Sequence, residues 1–295
     1  MRSRRSRTAR TLFATLLLGL LIAGLVGFSH AQSSAAGPGA TGGAKLRVRQ
    51  YNTLGDTGLR VSDIGFGAGG TTDPALIEYA LDLGINYFDT AANYAGGQSE
   101  VAVGQVAARR RDEMIICTKL IMDGETTQED VVAGLEASLE RLQTDYVDIY
   151  MIHGGNRTAI DNPQIYEAFD RLKQAGKIRF TGVSTHGPNI ASEMRSVIAE
   201  GKLDVILCSF DPVGDPEIPA MLREAAAQGI GLVGMKVFPS AREASLPEFE
   251  SGAQPFHLAA LRWALQESGM HTVLVSLNMM DQVDEYIVAS GAAAE

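Results

Sequence analysis

Only two cysteines occur in 295 residues, Cys117 and Cys208. That is too few for a disulfide framework or an iron–sulfur cluster. Both fall inside apolar runs, so two buried thiols are expected. The five histidines are scattered, and no His or Cys spacing suits a metal ion. Positive charge is also scarce. The formal net charge is −10, and no lysine or arginine lies between His271 and the chain end. Such an acidic chain is a poor match for nucleic acid or an anionic lipid surface. A Gly-rich dinucleotide fingerprint is missing as well. The stretch IGFGAGGTTD resembles one loosely, but no acidic residue follows at the right distance. That argues against an open doubly wound sheet.

What positive charge there is crowds the start. Residues 1–31 hold Arg2, Arg4, Arg5, Arg7 and Arg10 and no acid. An apolar run from Leu12 to Phe28 follows, then Ser29-His30-Ala31. This order reads as a signal peptide cut after Ala31, which gives a periplasmic or secreted protein. The other reading is a retained membrane anchor, for which the run is short. Arg4-Arg5 after Ser3 admits twin-arginine export. Cleavage would leave the folded body five charges more negative than −10. Residues 32–45, QSSAAGPGATGGAK, are small and aperiodic and read as a flexible linker.

From residue 46 to 295 the rhythm is strand, turn, helix, repeated eight times. Strands are expected at 64–68, 86–90, 114–119, 147–153, 180–184, 205–210, 232–237 and 272–277. Helices are expected at 74–83, 99–109, 127–142, 163–175, 188–199, 216–228, 256–268 and 280–289. Pro163, Pro188 and Pro216 stand where helices start, and Gly84, Gly176, Gly201, Gly229 and Gly269 where they end. Eight βα units in about 250 residues predict an α/β fold, a (β/α)8 TIM barrel. Ahead of the first barrel strand, YNTLGDTGLRVSDIGFG turns at Asp56-Thr57-Gly58. It is expected to form a β-hairpin closing the bottom of the barrel.

Active sites of such barrels sit at the C-terminal ends of the strands. The second strand ends at Asp89, with Tyr94 five residues on. The third ends at Lys119 and the fourth at His153. A ketone accepts hydride more readily when its oxygen receives a proton. A phenol can donate one, but its free pKa of about 10 is high for neutral pH. Lys119 is expected to lower it, Asp89 to hold Lys119 charged, and His153 to orient the carbonyl. Singly, each residue has a plainer role: turn former, packing ring, snorkelling lysine, rim histidine. It is their convergence that points to catalysis.

YNTLGDTGLRVSDIGFG, FDTAANYAGGQSEVAVG, TKL, SLERLQTDYVDIYMIHG and AGKIRFTGVST resemble the ordered signature blocks of the aldo-keto reductase superfamily. GVSTHG and GIGLVGMKV resemble a branch often fused to an iron–sulfur domain, which the cysteine count excludes here. The resemblance implies Asp89, Tyr94, Lys119 and His153 as the catalytic set, with Tyr94 as the acid. It implies NADPH or NADH as cofactor and a small-molecule carbonyl substrate.

This chain departs from the family on the hydride side. Ser184 is retained at the nicotinamide amide, but Thr185 and Leu207 replace its usual polar neighbours. Phe210 replaces the tyrosine that stacks on the nicotinamide. Lys236 is expected to meet the pyrophosphate, or to be a solvated rim lysine. Ser276, Gln282 and Glu285 fall in the adenosine region. Since no cation stands there beside Asp281, Asp284 and Glu285, the expectation leans to NADH over NADPH. Substrate choice is expected to rest on Phe66, Tyr94, the 154–162 loop and the 238–254 loop, the last either a lid or a surface excursion. The alternative function is an exported cofactor-binding or sensory barrel with little turnover.

Overall fold

The computed structural model describes residues 46–187, 189–210, 215–237, 255–267 and 269–291. The export-like segment, the linker, Pro188 and the 238–254 loop lie outside the described residues. No helix among the described residues is long and apolar enough to cross a membrane.

The expected hairpin is β1 (Tyr51–Thr53) and β2 (Arg60–Ser62), antiparallel with Tyr51 opposite Ser62. Its turn combines a 3-10 segment, Gly55–Thr57, with Gly58 in the left-handed region. Eight parallel strands then close into a barrel. They are β3 (Ile64–Gly67), β4 (Tyr87–Asp89), β5 (Ile115–Ile121) and β6 (Val147–His153). The remainder are β7 (Ile178–Thr185), β8 (Val205–Ser209), β9 (Gly231–Met235) and β10 (Thr272–Ser276). Strand β10 pairs with both β9 and β3, which completes the ring.

Between the strands run α1 (Pro74–Asp82), α2 (Gln98–Arg110), α3 (Gln128–Leu142), α4 (Arg157–Ile160) and α5 (Pro163–Gln174). They continue as α6 (Ile190–Glu200), α7 (Ile218–Ala226), α8 (Phe256–Glu267) and α9 (Met280–Ile287). Their starts follow capping chemistry. Asp73, just before Pro74, accepts from the Ala75 N–H, and Asn162, just before Pro163, from the Gln164 N–H. Thr127 and Asp130 form a reciprocal capping box on α3. Pro216 does not open a helix as expected: α7 begins at Ile218, with a proline in its first turn. The 154–162 loop contains α4, capped by Asn156.

Strand alternation sorts the core into two layers. Tyr87, Cys117, Ile149, Met151, Val205, Leu207 and Val233 form an inner cluster with Leu54, Leu59 and Val61 of the hairpin segment. Those three hairpin residues are at most 4% exposed. Burying each stabilises the closed floor by roughly 1.5–3 kcal/mol. Ile64, Phe66, Phe88, Ile116, Ile152 and Cys208 belong instead to the cluster shared with the helices. Both cysteines are buried and free, and burial pushes both thiols up. Both therefore stay protonated thiols at neutral pH.

Candidate active site

The site is built where β4, β5 and β6 end. Beyond Asp89 the chain enters a tight turn, Tyr94–Gly97. Ala95, Gly96 and Gly97 all take left-handed backbone, with φ of 49°, 63° and 90°. At Ala95 this costs roughly 1–2 kcal/mol, since a Cβ crowds the following carbonyl. The turn is tied down on two sides. Ser99 Oγ donates to the Ala68 carbonyl at 2.7 Å and meets Thr90 Oγ1 at 2.8 Å. A Cβ on Gly97 would lie 3.0 Å from Arg141 Cδ, so α3 packs directly behind the turn.

Lys119 does not snorkel. Its side chain is 1% exposed and points inward from β5. Nζ donates to Asp89 Oδ2 at 2.7 Å and to the Thr90 carbonyl at 2.6 Å. The ammonium sits 4.8 Å from the Tyr94 ring centroid. An ammonium has three N–H groups, so one remains for the Tyr94 side. His153 stands edge-on to Tyr94, with ring centroids 5.4 Å apart and an interplanar angle of 87°. Its Nδ1 is buried and has no hydrogen-bond partner among the described residues. The neutral tautomer protonated on Nε2 leaves only a lone pair buried there, which is the cheaper orphan. The turn after His153 is held by Ser184, whose Oγ accepts from the Gly154 N–H at 3.3 Å.

Electrostatics correct one expectation. The Tyr94 phenol is raised, not lowered: burial dominates, and the opposing pull of Lys119 is not enough to reverse it. Burial also raises the Asp89 carboxyl against the pull of Lys119. For Lys119, burial disfavours the ammonium, but Asp89 with Cys117 and Tyr94 together outweigh it, and the pKa is pushed up to about 12. Burial, then the charges of Lys119 and His186, lower His153 to about 4. At neutral pH the site therefore holds a protonated phenol, an ammonium and a neutral imidazole.

The residues expected on the hydride side are less uniform. Ser184 is 2% exposed and Phe210 4%. The Phe210 ring stacks on Trp263 at 4.8 Å, which covers one of its faces. The Gln282 amide oxygen accepts from the Asn278 N–H at 2.8 Å, and Glu285 pairs with His257 at 2.6 Å. Lys236 and Ser276 are exposed at the ends of β9 and β10. Lys236 has a left-handed φ of 53°, a backbone conformation that is costly for a residue with a Cβ.

Phe66 does not shape a pocket. It packs on Phe88 at 5.6 Å in the outer layer. Sequence reasoning also passed over Glu100, which is fully buried on α2. It accepts from Thr118 Oγ1 of β5 and from Arg141 Nε, the latter at 2.7 Å. Its spacing with Val103 and Ala107 was the available signal: a carboxylate on the apolar face of a helix.

A closed parallel barrel with a buried lysine–carboxylate pair under a rim tyrosine defines the class of enzyme. The aldo/keto reductase family model matches residues 70–242. An uncharacterised oxidoreductase of Bacillus subtilis is 31% identical over 82% of this chain and 83% of its own length. L-galactose dehydrogenase of Arabidopsis thaliana is 29% identical over 81% of this chain and 88% of its own. An aldo-keto reductase of Bacillus halodurans in its holo form superposes with a TM-score of 0.69. It is 28% identical, covering 83% of this chain and 91% of that one. The chain belongs to the aldo/keto reductase family and is an NAD(P)-dependent oxidoreductase.

Proposed function

We propose that this enzyme interconverts a carbonyl compound and its alcohol, with Tyr94 as general acid and base. The observation that carries the reading is the approach of both Lys119 and His153 to the Tyr94 ring. A nicotinamide dinucleotide, when bound, supplies or accepts the hydride. Tyr94 gives its proton to the carbonyl oxygen as negative charge develops there. Lys119, held charged by Asp89, stabilises the phenolate that remains. The neutral His153 donates a hydrogen bond to the same oxygen and orients it. With its pKa raised, the phenol carries its proton at neutral pH, the state that carbonyl reduction needs.

Lys236 and Ser276 are the residues we assign to the dinucleotide's rim contacts, because both side chains are exposed there. Ser184 and Phe210 would line its buried end. The dinucleotide we propose is NADH, on the lack of any Lys or Arg beyond Arg262 to pair a 2′-phosphate. Export through the N-terminal segment is likewise our proposal, resting on its arginine-then-apolar order.

The test is turnover of a panel of aldehydes, ketones and aldoses with NADH and NADPH, in wild type and Tyr94→Phe. We expect kcat to fall by about 10²–10⁴-fold in the variant. Dinucleotide binding, followed by intrinsic fluorescence, should be unchanged. Equal turnover in both proteins overturns the assignment of Tyr94.

A further inference from the structure

Strand β3 and the turn after it carry four glycines, Gly65, Gly67, Gly69 and Gly70, that do not serve one purpose. A Cβ on Gly65 would lie 2.8 Å from Leu274 Cδ2 and 3.0 Å from Thr272 Oγ1. On Gly67 it would lie 3.1 Å from the Val275 carbonyl oxygen. On Gly70 it would lie 2.9 Å from Asn278 Oδ1. Packing accounts for glycine at 65 and 67, while at 70 the close atom is the tip of the exposed Asn278 side chain. Gly69 is different. It is exposed on the catalytic rim, and its backbone is not left-handed. The three atoms nearest to a Cβ there all belong to the Tyr94 ring, with Cε2 at 3.7 Å, Cζ at 3.8 Å and Cδ2 at 3.9 Å. Those are ordinary contact distances. Neither the backbone nor the local packing calls for glycine.

What a side chain at 69 would fill is the space beside Cζ, the carbon that bears the Tyr94 hydroxyl. A carbonyl group has to reach that hydroxyl to be protonated. No large side chain of β3 shares the space, because Phe66 faces the helices. We infer that Gly69 is a specificity-determining residue. It holds open a slot beside the Tyr94 hydroxyl for a substrate whose carbonyl carbon lies in, or next to, a ring or branch. The inference rests on the proposed role of Tyr94 as the acid.

The experiment compares wild type, Gly69→Ala and Gly69→Leu on propanal and butanal, and on cyclohexanecarbaldehyde and cyclohexanone. Initial rates are taken with NADH and with NADPH, below the unfolding temperature of each protein. Wild type should accept the cyclic compounds about as well as the linear ones. Gly69→Leu should lower kcat/KM for the cyclic compounds by about 10–200-fold, the range that a change of pocket size supports. Gly69→Ala should fall between the two. Linear aldehydes should change less than about threefold, the scale of a rim change outside the reacting path, and the dinucleotide KM should hold. Equal losses on linear and cyclic compounds overturn the inference. So do a raised dinucleotide KM that explains the loss, no loss on either class, or a wild type that refuses cyclic compounds. A wild type inactive on every carbonyl overturns the reductase reading of Tyr94 itself, and this inference with it.

Discussion

Lys119 Nζ donates to Asp89 Oδ2 across 2.7 Å, with the two side chains 1% and 6% exposed. A buried ion pair of this kind is a weak source of stability, because desolvation offsets most of the attraction. Breaking it is another matter. Lys119→Met leaves a carboxylate in a dry barrel and should cost about 3–5 kcal/mol. Removing both charges, as Lys119→Met with Asp89→Leu, should bring the urea midpoint back to near the wild-type value. Activity should be lost in the single and the double variant alike. A double variant as unstable as the single one would show that the pair does not stand alone. The pH sign follows from Lys119 being pushed up to about 12 from 10.5. Its contribution is complete below 10.5 and is lost as pH rises through about 12.

His153 makes the opposite prediction. Its pKa is lowered from 6.5 to about 4, by burial first and then by Lys119 and His186. Between those values the unfolded chain binds the proton and the native one does not. Stability therefore falls as pH drops from 6.5 toward 4. His153→Gln should flatten part of that slope, read as urea midpoints at a pH above and a pH inside the window. In the wild type, kcat/KM should show no ionisation near the free histidine value and should decline only near pH 4. A bell whose acid limb sits at the ordinary imidazole pKa would mean that His153 is not shielded as described.

The sequence made much of this legible because its punctuation is local. Strand β6 matches the expected 147–153 span, bounded on the far side by the Gly154 turn. Gly84, Gly176, Gly201, Gly229 and Gly269 all take the positive φ expected past a helix end. Where a left-handed cap is not glycine, as at Gln143 after α3, no such signal exists. Phe66 was misplaced for a related reason. Its neighbours on β3 are Gly65 and Gly67, and residues without side chains give alternation nothing to show. The sign of the Tyr94 shift was beyond reach because it depends on how deeply the phenol is buried, and spacing reports only who its neighbours are. Glu100 was the opposite case: its position on the buried face of α2 was readable, but its partners Thr118 and Arg141 lie on other elements.

That network supplies the remaining prediction. Glu100 joins Thr118, the residue before Lys119, to Arg141, which packs against the Tyr94 turn at Gly97. It thus ties the ammonium-bearing strand to the phenol-bearing turn from behind, without touching either reacting group. Glu100→Gln keeps the shape and can still accept from Thr118, but it loses the charge that holds Arg141. Arg141 is 29% exposed and can recover water, so the stability loss should stay below the 3–5 kcal/mol of a sealed pair. Loosening the turn by a fraction of an ångström should matter more to the chemistry, because proton transfer depends steeply on distance. We expect kcat to fall roughly 10-fold or more, with the dinucleotide KM unchanged. Glu136→Gln is the control, since Glu136 is 49% exposed on α3, the helix of Arg141, and pairs only with Lys177 among the described residues. It should change neither stability nor kcat. Single-turnover hydride transfer, measured well below the unfolding temperature, separates the two roles: a Glu100→Gln enzyme that is less stable but equally fast would reduce the network to a brace between helices.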